Sequence, residues 1–271
     1  MSILARPPSY PVRLAKGNPL TRGLQIAVAV MGGHPYVVTP RFAAPMLRVG
    51  SALVGGARGP NTGQGMYLGS AGDRFVFAGM PPANAVTDAI TWFALALTGV
   101  SSTPNKMALW FGASGTTVGA IAFGNSTDTA PLCYTRTASA ILPQRVATTV
   151  PYVINTQYFI AGSRTTAQSY PDLYLNGVLS NGTAYSPSTG NLAASITDVS
   201  MNNGVAALTG VTYCGGLFNR TLSAYEHLLL ARNPWQIFER ADRPIFYSLP
   251  SGGVSGSVPP LYFHRTHHGM S

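Results

Sequence analysis

Glu226 and Glu239 are the glutamates of this 271-residue chain, and hydrolysis of a glycosidic bond needs two carboxylates flanking it, roughly 5–9.5 Å apart. Each has another explanation. Ser223-Ala224-Tyr225-Glu226 places a glutamate three positions after a serine, the spacing of a helix capping box. Glu239 follows in an exit segment, and no Glu-x-Asp-x-x-Glu array occurs. Asp73, Asp88, Asp128, Asp172 and Asp198 each stand alone beside a turn signal, where a carboxylate commonly bonds its own backbone. Nucleophilic chemistry has no Gly-x-Ser-x-Gly elbow to work from, and nothing in the sequence links Cys133 to His34. Gly112-Ala113-Ser114-Gly115-Thr116-Thr117 has the glycines of a phosphate loop without its Lys-Ser/Thr ending, and reads as a hairpin turn.

His264, His267 and His268 are of metal-ligating type and would gather if three copies met on an axis. No carboxylate or cysteine accompanies them, so a solvated or docked tail is expected and no metal or cofactor is called for. Cys133 and Cys214 belong to no CxxC pair and are expected as two buried thiols. Asn125-Ser126-Thr127, Asn181-Gly182-Thr183 and Asn219-Arg220-Thr221 match the glycosylation pattern by chance in a Ser/Thr-rich chain. Trp92 and Trp110 sit in strand-like runs and are expected in the core, leaving Trp235 as a packing anchor. The residues thus point away from catalysis.

Composition narrows the partners. Hydrophobic residues make up 46% of the chain and charged residues 9%, far below the roughly 25% usual in soluble domains. So little charge implies a surface partly covered by neighbours, with polar Ser, Thr and Asn as the alternative source of solvation. The net charge is +9, but the basic residues are scattered, which argues for acidic protein or glycan surfaces and against nucleic acid. No stretch approaches the roughly 18 apolar residues of a membrane helix. Ala5-Arg6-Pro7-Pro8 interrupts any leader-like run, so export by a standard cleaved leader is not expected.

The elements that must hold these residues are strands. Arg74–Ala78, Ile90–Leu97, Met107–Phe111, Val118–Phe123, Pro131–Thr135, Tyr152–Ser163, Asp172–Leu179, Ile196–Met201 and Leu208–Phe218 are short apolar runs separated by turn signals, the pattern of a β-sandwich or barrel. Ile90–Leu97 is apolar at every position but Thr91, as a strand covered on both faces should be. Asn176-Gly177 inside Leu173–Leu179 predicts a tight type I′ hairpin. One helix is expected, capped by Ser223 and Glu226, held by Leu222, Leu229 and Leu230, and stopped at Asn233-Pro234. Residues 1–20 form a Pro-rich extended arm carrying Arg6, Tyr10 and Arg13. Residues 21–249 form the sandwich. Residues 250–271 are a Gly/Ser/Pro-rich linker ending in an anchor with Tyr262, Phe263 and His264.

The order of these pieces resembles a known family. Gly65-Met66-Tyr67-Leu68, Asp73-Arg74-Phe75-Val76-Phe77, Ile90-Thr91-Trp92-Phe93, Asp172–Val178 and Gly215–Glu226 follow one another as in laminin-G-like, concanavalin-type domains, over roughly residues 20–240. The closing Asn219-Arg220-Thr221-Leu222-Ser223-Ala224-Tyr225-Glu226 with Asn233–Phe238, and the opening Asn18–Leu24, look like versions found in tailed-phage structural proteins. The resemblance implies a jelly-roll sandwich of two antiparallel sheets, used for carbohydrate or protein contact and, in phage, for building heads, fibres and tails. The family's calcium sites use acidic and backbone ligands that have no identifiable counterpart here.

The expected role is therefore a virion structural protein, a capsid decoration or head-fibre type that grips neighbouring virion subunits with its arms at Arg6, Tyr10, Arg13, Tyr262, Phe263 and His264. A homo-oligomer, with a trimer among the options, is expected. The alternative is a carbohydrate-binding module of tail-fibre or receptor-binding type that recognises host surface glycans. A glycosidase would need Glu226 and Glu239 as its carboxylates.

Overall fold

The computed structural model describes residues 12–31, 34–49, 56–59, 63–67, 74–78, 89–97, 106–113, 116–124, 130–139, 141–148, 152–191, 196–201 and 210–241. In chain order the strands are β1 Val12–Leu14, β2 Leu24–Met31, β3 His34–Val38, β4 Ala43–Pro45, β5 Leu47–Val49, β6 Gly56–Gly59, β7 Gly63–Tyr67, β8 Arg74–Phe77, β9 Ala89–Leu97 and β10 Lys106–Ala113. They continue with β11 Thr116–Phe123, β12 Pro131–Thr135, β13 Gln144–Val146, β14 Gln157–Thr165, β15 Asp172–Leu175, β16 Val178–Leu179, β17 Ala184–Tyr185, β18 Asp198–Met201, β19 Val211–Phe218 and β20 Phe238–Arg240. Helix α1, Ala224–Arg232, lies between the last two strands.

The strands make two large antiparallel sheets. The order in one is β16-β15-β14-β9-β19-β2-β3-β4, with β7 beside β19 and β6 beside β7; in the other it is β17-β13-β12-β11-β10-β18-β8-β5. The period-two alternation of side chains explains the layering. Ile26, Val28, Val30, Trp92, Ala94 and Ala96 turn inward to meet Leu109, Phe111, Ile121 and Phe123 of the facing sheet. Ala27, Ala29, Met31, Phe93 and Leu95, their neighbours in the same strands, form a second apolar layer on the opposite face. This is why β9 lacks the polar half of an ordinary outer strand. The expected jelly-roll sandwich with a single short helix is the fold found.

Trp92 fastens the two sheets together. It is fully buried, and its Nε1–H donates to the Ala120 carbonyl of the facing sheet at 2.9 Å. Its Cα partner in β14 is Gly162. A Cβ on Gly162 would lie 2.4 Å from the indole, so the ring's place depends on that glycine. Trp110 is also buried, and Cys133 and Cys214 are buried free thiols; loss of solvation raises both thiol pKa values far above normal.

The second apolar layer is covered by the two ends of the described chain. Val12, Leu14 and Leu20 pack there with Leu222, Leu230, Trp235, Ile237 and Phe238. Residues 12–20, expected within an extended arm, are thus seated on their own sandwich. The run expected as a strand from Tyr152 begins instead at Gln157, because Asn155, at φ 58°, turns the chain just before it. Arg6, Tyr10, Tyr262, Phe263, His264 and residues 250–271 lie outside the described residues.

Candidate interaction site at the terminal clamp

Val12-Arg13-Leu14 alternates apolar and basic, and Phe238-Glu239-Arg240 places an acid where it can answer. The two segments pair antiparallel, with Val12 opposite Arg240, Arg13 opposite Glu239 and Leu14 opposite Phe238. Val12, Leu14 and Phe238 are buried on the sandwich side. On the other side Arg13 Nε donates to Glu239 at 2.7 Å. Arg13, named from sequence as an assembly contact, is therefore committed to an ion pair within its own chain, with 47% of its side chain exposed. The register has a further consequence. Residues 12 and 240, near the two ends of the described chain, thus lie directly opposite one another.

Polar contacts stitch this clamp to the rest of the outer layer. Asn18 Nδ2 donates to the Gln236 carbonyl at 2.7 Å, while Asn18 Oδ1 accepts from Leu20 N–H at 3.0 Å. Thr21 Oγ1 donates to the Ala15 carbonyl at 2.9 Å, and Gln236 Nε2 to the Leu229 carbonyl at 2.7 Å. Beside them a groove of about 460 Å³ is lined by Leu14, Lys16, Asn18, Pro19, Arg22 and Leu24 among others, and no carboxylate lines it among the described residues. Its floor is buried leucine and its rim carries the exposed Lys16 and Arg22.

Arg22 links the groove to the helix. Its carbonyl accepts from Arg220 Nε at 2.7 Å, and the two terminal nitrogens of Arg220 grip both oxygens of Glu226, at 2.6 and 3.0 Å. Glu226 also accepts from Ser223 N–H at 2.8 Å, and Ser223 Oγ accepts from Glu226 N–H at 3.3 Å, completing the capping box read from the sequence. The Arg220 guanidinium, more than the Ser223 bonds, holds the Glu226 carboxyl well down, at a pKa of about 2. Sequence reasoning had the cap but missed the arginine, although Arg220 stands only six positions ahead of Glu226.

The helix rests on the β15–β16 hairpin. Asn176 and Gly177 both have positive φ, 52° and 84°, as a type I′ turn requires. Asn176 exchanges bonds with Phe159, receiving its N–H on Oδ1 at 3.0 Å and donating its own N–H to the Phe159 carbonyl at 2.7 Å. Gly177 lies so near α1 that a Cβ would stand 2.8 Å from the Leu228 Cα. His227 stacks on Tyr174 with centroids 3.6 Å apart. It is fully buried, and among the described residues neither ring nitrogen has a hydrogen-bond partner. Burial lowers its pKa to about 4 against the pull of Glu226 and Asp172. Trp235, buried after the helix, anchors the return toward β20.

Acids among the described residues have local partners. Asp172 accepts from Gln168 and Asn181 at 2.8 and 2.7 Å, and Glu226 and Glu239 each face an arginine. Among the described residues no group of three or more His, Cys, Asp or Glu comes together as a metal site, and no helix is long and apolar enough to cross a membrane.

No family model matches the chain, and no curated protein does. Solved structures do resemble it. The receptor-binding domain of botulinum neurotoxin C/D mosaic serotype matches with TM-score 0.54 and 10% identity, over 78% of this chain and 51% of that one. The binding domain of Paraclostridial mosquitocidal protein 1 matches with TM-score 0.55 and 9% identity, over 78% and 52%. Trypanosoma rangeli sialidase in complex with 2,3-difluorosialic acid matches with TM-score 0.51 and 15% identity, over 78% and 33%. The chain thus spans between a third and about half of each neighbour. These likenesses establish the β-sandwich fold and agree with the concanavalin-type resemblance.

Proposed function

We propose that the chain is a virion structural protein of a tailed phage, a capsid decoration or head-fibre component without catalytic activity, fixed to its neighbours at the terminal clamp. The observation that carries this reading is the pairing of Val12–Leu14 with Phe238–Arg240, which gathers both ends of the described chain at one place on the sandwich, where a neighbour can grip them. The low charge of the chain and the exposed Val178, Leu179 and Tyr225 at the hairpin and helix fit a surface partly covered by other subunits. Mass spectrometry of purified particles tests the reading: it expects the chain at a copy number that fits capsid or tail symmetry, and absence from the particles would overturn it.

A second reading is a module binding host-surface glycans. The aromatic ring of Tyr225, 67% exposed on the first turn of α1, favours it, since such rings stack on sugars. Two of the structural neighbours are binding domains by description. Glycan-array binding that Tyr225→Ala abolishes would support this reading, and a blank array would count against it.

A further inference from the structure

We infer that the groove between β1 and the Pro19–Leu24 segment is a docking site for an extended acidic segment of a different protein, which inserts an apolar side chain over Leu14 and Leu24 and places carboxylates against Lys16 and Arg22. The inference deepens the assembly reading by stating the chemistry of the neighbour.

Two observations converge on it. The groove's floor is apolar, and among the described residues its lining includes two cations and no acid. Neither Lys16 nor Arg22 has a side-chain partner in an ion pair or hydrogen bond among the described residues, because the ion pairs there are Arg13–Glu239 and Arg220–Glu226.

Charge decides against a second copy as the occupant. Eight carboxylates are spread over 271 residues. Residues 1–11 contain none. Residues 242–271 hold Asp242 against Arg243, Arg265 and three histidines. Neither segment can match the rim. The walls are preformed by the Asn18 and Thr21 bonds, so docking costs little ordering of the groove itself.

The test is fluorescence polarisation of the full chain with a labelled octapeptide of alternating glutamate and leucine, against its lysine-for-glutamate counterpart. The acidic peptide is expected to bind saturably and the basic one not. The double variant Lys16→Glu/Arg22→Glu should weaken binding at least tenfold with an unchanged melting temperature, because both side chains are exposed. Arg136→Glu, just past β12 of the other sheet, should leave it within about twofold. Equal binding of the two peptides, no binding of either, indifference to the double variant, or an equal loss in Arg136→Glu would overturn the inference. Any of these in a chain that mass spectrometry finds in particles would sink the groove while sparing the assembly reading.

Discussion

His227 is the residue whose chemistry is least like its setting. Its ring is buried against Tyr174 with both nitrogens unpartnered among the described residues. The groups that bear on it are Glu226 and Asp172, which favour its charged form, and Arg220, which opposes it; desolvation outweighs them all. Because its folded pKa, about 4, lies below the ordinary 6.5, the neutral ring is stabilising above pH 6.5. That stability drains away as pH falls from 6.5 toward 4, by roughly 1.4 kcal/mol per pH unit for one proton. Urea titrations across this range should show the slope, and His227→Phe should flatten it. A residual slope from His34, whose pKa burial also lowers, is expected; an undiminished one would contradict the account. Glu226 acts in a lower window, its stabilisation being complete above about 4.5 and lost as pH falls toward 2. Arg13→Ala should cost about 1–3 kcal/mol in the same assay, because it leaves the buried Glu239 carboxylate without its partner.

At the scale of elements, the tightest constraints are the hairpin and the helix it supports. Gly177→Ala must both accept a positive φ and push against the Leu228 backbone, so a loss above about 1 kcal/mol is expected. Ser223→Ala should cost about 1 kcal/mol by freeing the first-turn N–H. A thermal melt in which Gly177→Ala matches the unaltered chain would refute the packing of hairpin on helix. These elements were legible because their signals are local: Asn176-Gly177 dictates its turn, Ser223 and Glu226 their cap, and Pro131–Thr135 its strand. The clamp was not legible. Arg13 and Glu239 are 226 positions apart, and nothing in Val12-Arg13-Leu14 says which distant strand it will join. Read as a Pro-rich arm, that segment concealed the alternation that seats Val12 and Leu14 on the second apolar layer. Phe238→Ala should loosen the clamp by about 3–5 kcal/mol, raising amide exchange at Ala15 before exchange in β9.

At the scale of the whole molecule, the ten-stranded sheet carries apolar layers on both faces, and the outer layer is closed by residues drawn from both ends of the described chain. Covering the sheet brings both ends of the described chain to one place. The sandwich could be anticipated from strand spacing, since each strand announces itself within a few residues. The groove could not, because Leu14, Arg22, Leu24 and Pro40 meet only after the outer layer forms. The central claim is that attachment to the assembly runs through this clamp and its flanking segments. Quantitative mass spectrometry of particles assembled with a chain lacking residues 242–271, alongside the full chain, tests it most directly. The account predicts at least a tenfold loss of incorporation with the melting temperature of the sandwich retained; equal incorporation of the shortened chain would contradict it.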